Sequence, residues 1–146
     1  MTPDYVLDTS VVIKWIRQEE ILADHALRLL NRYLAGEIRI AIPALLAYEI
    51  ANVLRYKPDL TAAHVEMALQ ALFDLALTWI APTPDLIRQS VTVARASEIS
   101  VYDASFVALA DALKATFVTA DERLVRHLND RDDVRFLGDV VTSPEP

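Results

Sequence analysis

The stretch Tyr5-Val6-Leu7-Asp8-Thr9-Ser10-Val11-Val12-Ile13-Lys14-Trp15-Ile16 decides the fold. Tyr5-Val6-Leu7 is a short apolar run that reads as a buried strand ending at Asp8. Thr9 and Ser10 can then cap a short helix over residues 11–16. A strand running directly into a helix opens a βα unit, and the rest of the chain repeats the alternation. Residues 23–35 carry Ala23, Ala26, Leu27, Leu30 and Leu34 at helical spacing, with Gly36 as the stop. Residues 38–42 read as a second strand. Pro43 opens a helix to about Tyr56, which Lys57-Pro58 breaks. Thr61 caps the next helix, with Val65, Leu69, Leu72 and Phe73 on one face. Residues 78–81 form a strand, and Thr83-Pro84-Asp85 starts a helix running to about Ser97. Ser100 opens another helix to about Lys114. A strand over 116–119, a helix over 121–128 and a strand over 134–137 complete the pattern. This predicts an α/β fold with a mainly parallel sheet, one domain over residues 1–141 and a frayed tail over 142–146.

Composition narrows the class. The 146 residues hold 21 acids, 14 bases and no cysteine, for a formal charge of −7. A 53% apolar fraction and a mean hydropathy of +0.25 argue against disorder. Two glycines leave no room for a glycine-rich phosphate loop, and zero cysteines exclude disulfides and Cys-ligated metal. No run reaches the ~18 apolar residues of a membrane-spanning helix. Nor does a basic segment precede the first apolar run, so a cytoplasmic chain is expected. The acidity argues against nucleic acid, whose phosphates normally attract surplus Lys and Arg.

Four acids stand where chemistry is expected. Ligands of open parallel sheets bind beyond the carboxyl ends of the strands. Asp8 follows the first strand there and Asp121 follows the 116–119 strand. Glu49 and Asp103 interrupt apolar helical stretches. Each also has a structural reading: Asp8 and Asp121 as helix caps, and Ser100-x-x-Asp103 as a capping box. Glu49 resists such a reading. It shares a helix face with Leu45 and Val53, where an unpaired carboxylate is costly. Asn52 lies one turn on and can orient a carboxylate or a water. Four carboxylates cannot all ionise together without positive charge. Oxygen-only ligands suit Mg²⁺ or Mn²⁺, which serve phosphoryl hydrolysis.

The order Asp8-Thr9-Ser10, Tyr48-Glu49-x-x-Asn52, Tyr102-Asp103-Ala104 and Thr119-Ala120-Asp121-x-x-Leu124 resembles a PIN domain. More closely, it resembles the ribonuclease toxin of a VapBC-type toxin–antitoxin pair. Phe106 departs from the family, whose members often have Tyr there. The resemblance implies a three-layer α/β/α sandwich. It implies that Asp8, Glu49, Asp103 and Asp121 bind one or two Mg²⁺ or Mn²⁺ ions. Ser10 and Thr119 would support the acids or the water, and Asn52 would stand behind them. The implied activity is metal-assisted, endonucleolytic hydrolysis of RNA. A homodimer and a VapB-type antitoxin, whose C-terminal segment covers the active site, are the implied partners.

Lys14 and Arg17, on the helix after Asp8, are candidate contacts to RNA phosphates. His25, His64 and His127 are scattered without metal-ligand spacing and read as helix-surface residues. Asp111 reads as surface, and Trp15 and Trp79 as core or dimer contacts. A phosphoaspartate hydrolase would need an acid where Ser10 stands. A receiver domain needs Lys-Pro after a late strand, whereas Lys57-Pro58 ends an early helix. A non-toxin PIN nuclease and a non-catalytic dimeric binding module are the alternatives. The charge also divides unevenly: residues 1–57 hold 7 acids and 7 bases, so the excess lies entirely in residues 58–146. Two divalent ions at the four acids would bring −7 to −3.

Overall fold

In the computed structural model, which describes residues 2–140, the opening run forms β1 (Tyr5–Leu7). It passes directly into α1 (Thr9–Ile16), which is followed by α2 (Ala23–Leu34). Next come β2 (Ile40–Pro43), α3 (Leu45–Arg55), α4 (Ala62–Asp74) and β3 (Thr78–Ile80). The chain continues through α5 (Pro84–Ser97), α6 (Val101–Leu113) and β4 (Thr116–Thr119). It closes with α7 (Glu122–His127), β5 (Val134–Phe136) and a 3₁₀ turn at Leu137–Asp139. The tail expected at 142–146 lies outside the described residues. No helix among those residues is long and apolar enough to cross a membrane.

The sheet order is β3-β2-β1-β4-β5, and all four pairings are parallel. Parallel crossovers are right-handed, which puts α1–α4 on one face and α5–α7 on the other. The packing agrees. On one face α1 meets α2 and α3, and α3 meets α4. On the other, α5 packs along α6, which lies on β1, β2 and β4. This is the three-layer α/β/α sandwich. With both sheet faces covered, the central strands are buried throughout: Val6, Leu7, Ile40, Ala41, Ile42, Phe117 and Val118 have almost no exposure. The chain moves from β1 to β2 and β3 in one direction, then crosses back to β4 and β5. The reversal leaves a crevice at the carboxyl ends of β1 and β4.

Several boundaries differ from the sequence reading, each for a local reason. Pro43 does not open a helix. It ends β2, in register with Ile80, and Ala44 N donates to Ile80 O at 2.9 Å. Its missing N–H costs nothing at the last strand position. Residues 38 and 39 precede β2 rather than starting it. Thr9 and Ser10 do not cap α1 either. They lie inside it, and Asp8 is the extended N-cap residue, with Val11 N donating to Asp8 O at 3.1 Å. The second half of the helix-stop reading holds at Gly36, which follows α2 with φ +76° and open space around it. Thr61 caps α4 in a reciprocal box with His64, but of the expected face only Leu72 is buried, and Phe73 is exposed.

Candidate active site

Four elements bring the acids to the crevice. Asp8 is the first residue after β1, and its backbone holds the start of α1. Asp121 follows β4 and caps α7, its Oδ1 accepting from Leu124 N at 3.2 Å. Asp103 sits in the first turn of α6, its N–H donating to Ser100 Oγ at 3.0 Å. Glu49 lies in the second turn of α3. The cap readings of Asp121 and Ser100 therefore hold through their side chains, whereas Asp8 caps α1 through its backbone alone. Its side chain makes no cap bond and takes two hydroxyls instead.

Those hydroxyls come from Ser10 and Thr119. Ser10 Oγ donates to Asp8 Oδ1 at 2.5 Å, and Thr119 Oγ1 donates to Asp8 Oδ2 at 2.6 Å. Both hydroxyls are themselves oriented by backbone. Ala120 N donates to Ser10 Oγ at 2.8 Å and Asp121 N donates to Thr119 Oγ1 at 3.1 Å. The two lie 3.3 Å apart. Asp8 is thus clamped between α1 and the end of β4, with each donor's direction set by the loop that carries Asp121.

The acids are graded in depth. Asp8 is 7% exposed, Glu49 and Asp103 are half-buried, and Asp121 is exposed. Burial raises the Asp8 carboxyl from 3.8 to about 6, although the Ser10 and Thr119 bonds pull it down. Burial raises Glu49 too, against the hydrogen bond from Thr9. The same cause raises Asp103, with the charge of Asp121 adding to it. Asp103 in turn pushes up both Asp8 and Glu49. Four carboxylates that repel one another in a half-dry crevice form a site short of positive charge.

Among the described residues, no three His, Cys, Asp or Glu already close on a common point as a metal cage. Mutual repulsion and closure are different requirements. Mg²⁺ keeps several waters and takes only one or two direct carboxylates, so carboxylates within charge range but outside bonding range suit it. Oxygen-only donors of this kind fit a hard divalent cation.

The structure separates the other candidates. Ser10 and Thr119 are at the acids. Asn52 is exposed and makes no side-chain hydrogen bond among the described residues, so the structure gives it no part in holding Glu49. The row buried on α3 is Leu46, Ile50 and Leu54, and Glu49 sits beside that row rather than within it. Lys14 is buried, with Nζ 3.0 Å from Glu20 Oε1. Arg17 is taken up by Asp59 at 2.8 Å and Glu19 at 2.7 Å. His25 meets Asp24, His64 belongs to the α4 cap and His127 meets Ser97 O, all away from the acids. Asp111 pairs with Arg131, and Trp15 is core, its indole donating to Ala26 O at 2.8 Å.

Two features escaped the sequence reading. Thr9 Oγ1 donates to Glu49 Oε1 at 2.8 Å, linking α1 to α3. The only trace of this in the sequence is that Thr9 adjoins Asp8. Tyr48 and Tyr102, 77% and 65% exposed, each precede an acid and line an apolar cavity of about 470 Å³ with Leu86, Ile87 and Val101. That cavity lies beside the acids, not at them.

A family model described as the PIN domain matches residues 5–128. Ribonuclease VapC9 of Mycobacterium tuberculosis is 42% identical over 96 residues, 64% of this chain and 73% of that protein. Among solved structures, PAE2754 from Pyrobaculum aerophilum is similar at a TM-score of 0.69 and 20% identity. The match covers 93% of this chain and 85% of that one. A toxin–antitoxin complex from Klebsiella pneumoniae has a TM-score of 0.68 at 16% identity, over 92% of this chain and 98% of the other. With the four acids at the switch point of a parallel sheet, these matches lead to one conclusion: the chain belongs to the PIN-domain family.

Proposed function

We propose that this protein is a divalent-cation-dependent endoribonuclease that hydrolyses RNA phosphodiesters as the toxin of a type II toxin–antitoxin pair. The observation that carries the reading is the convergence of Asp8, Glu49, Asp103 and Asp121 from four separate elements, with burial and mutual repulsion raising three of them. The 42% identity to a VapC ribonuclease supports the substrate class. The toxin–antitoxin complex from Klebsiella and a similar VapBC structure from Haemophilus influenzae support an antitoxin partner of the VapB type.

When bound at these acids, one or two Mg²⁺ or Mn²⁺ ions would supply the charge that activates water and stabilises the departing oxygen. The chain's own residues prepare that site. Ser10 and Thr119 fix both Asp8 oxygens, which sets the carboxylate plane at the crevice floor. The apolar strand ends beneath it exclude water and strengthen every charge interaction above. Glu49, Asp103 and Asp121 come to the crevice from three further elements, with the charge of Asp103 acting on Asp8 and Glu49 and that of Asp121 acting on Asp103. No histidine approaches the acids, so the carboxylates carry the polar chemistry of the site. Lys14 and Arg17 stand as candidate phosphate contacts, and each must first leave its carboxylate partner. Asn52 is exposed at the rim and is available to water or substrate.

The test is RNA cleavage by purified variants in Mg²⁺. Asp8→Asn and Asp121→Asn are expected to abolish cleavage while thermal unfolding stays cooperative. Cleavage by the Asp8→Asn protein at the wild-type rate would refute the proposal.

A further inference from the structure

Glu49 is held differently from its neighbours. Asp8 has two hydroxyl clamps and Asp121 has a backbone N–H. A glutamate side chain has one more rotatable bond than aspartate, so more rotamer entropy is lost when it is fixed. Its own helix supplies nothing: α3 has no side-chain cap bond, and Asn52 faces solvent. The single hydrogen bond made by the Glu49 carboxylate among the described residues comes from Thr9 Oγ1. Thr9 is the first residue of α1, and its β-branched side chain is stiff at χ1. The bond to Glu49 Oε1 selects one of its few rotamers, and that sets the direction from which the hydroxyl is offered. The bond occupies Oε1, and among the described residues Oε2 takes no hydrogen bond.

We infer that Thr9 is the positioning residue for Glu49: its hydroxyl pins one carboxylate oxygen so that the other is presented to a divalent cation. The inference rests on the metal-dependent reading of the acid cluster. Three consecutive residues then do three jobs. Asp8 supplies a ligand, Thr9 aims a second ligand on another helix, and Ser10 clamps the first. The first turn of α1 thereby keeps Asp8 and Glu49 in a common frame, although they are 41 positions apart in sequence.

The experiment compares Thr9→Val, Thr9→Ser, Glu49→Gln and the double variant Thr9→Val/Glu49→Gln in the full chain. Mn²⁺ affinity is measured by calorimetry, and kcat and KM are measured on an RNA oligonucleotide. Partners that orient a metal ligand typically contribute tenfold to a hundredfold in affinity or activity. Thr9→Val is expected to weaken Mn²⁺ binding by about that factor and to lower kcat with KM for RNA little changed. Thr9→Ser, which keeps the hydroxyl, is expected to restore most of the loss. In the Glu49→Gln background, Thr9→Val is expected to add less than about twofold, because the group it positions is gone. Thr9→Ala serves as a second hydroxyl-free variant should Thr9→Val unfold. Wild-type Mn²⁺ affinity in Thr9→Val, unchanged affinity in Glu49→Gln, or full additivity in the double variant would each overturn the inference. Glu49-dependent Mn²⁺ binding without any RNA cleavage would overturn the nuclease proposal and leave the Thr9 result standing.

Discussion

Asp8 illustrates how a single residue sets the behaviour of the site. Its carboxyl is raised from 3.8 to about 6 because burial outweighs two hydroxyl donors. The folded state therefore binds this proton more tightly than the unfolded chain. Asp8 contributes its stabilisation fully below about pH 4 and loses it as pH rises through about 6. Glu49 and Asp103 shift in the same direction. In chelator, the protein should thus gain stability on going from pH 7.5 to pH 5, by about 1–1.5 kcal/mol from Asp8 alone. Guanidinium unfolding at the two pH values checks this, and the gain should shrink in Asp8→Asn. A wild-type gain no larger than that of the variant would contradict the assignment. Thr119 presents the complementary case. Removing its hydroxyl strands both the buried carboxylate and Asp121 N. Thr119→Val should therefore cost about 1–3 kcal/mol in the same assay. Glu49 stood out in the sequence, because a charge inside an apolar run has few bland explanations, whereas Asp8, Asp103 and Asp121 each read equally well as parts of helix caps. Thr9 did not stand out, because a hydroxyl after a strand reads equally well as a cap.

At the scale of elements, most of the alternation was readable, and the errors cluster at junctions. α5 and β4 begin and end where the sequence places them, since Thr83-Pro84 and the Thr116–Thr119 run carry strong local signals. The Pro43 junction was misread because proline suits both a helix start and a strand end. Only pairing with β3 decides between them. α6 ends at Lys114 with φ +55°, a left-handed conformation that costs an ordinary side chain about 1 kcal/mol or more. Lys114 is exposed, and its Cβ gains nothing in return. Lys114→Gly should raise stability by about 0.5–1 kcal/mol in thermal or denaturant unfolding. A loss of stability would show that the lysine side chain makes a compensating contact.

For the whole molecule, charge and apolar surface point to different partners. Lys14 and Arg17, the bases nearest Asp8 in the sequence, are engaged by acids and so are not free to meet a phosphate backbone. RNA affinity should therefore depend weakly on salt, with a log–log slope shallower than about −2, where a basic protein making many phosphate contacts falls much more steeply. Filter binding with a non-cleavable RNA between low and moderate salt measures it. A steep slope would reveal a basic surface assembled in some other way. The exposed apolar residues Tyr48, Ile87, Val91, Val101 and Tyr102 lie on α3, α5 and α6. An apolar surface of this kind is suited to a protein interface, and the homodimer implied by the family resemblance is the expectation to test on it. Sedimentation should find a dimer, and Ile87→Asp should yield monomers with the fold intact. A wild-type monomer at working concentrations would overturn the homodimer that the family resemblance implies.

The sequence by itself determined the α/β class of fold and singled out four acids as candidates, whose oxygen-only chemistry suits a hard divalent cation. These follow from periodicity and from residue type, which are local properties. The tertiary structure decided what each polar group does. It turned Asn52 outward, drew Lys14 and Arg17 into ion pairs, and gave the anchoring of Glu49 to Thr9. It also put Ser10 and Thr119 on opposite oxygens of one carboxylate. The reason is directional. A hydrogen bond depends on where two side chains from distant elements point, and that direction exists only once β1 and β4 lie side by side with α1 and α3 packed above them.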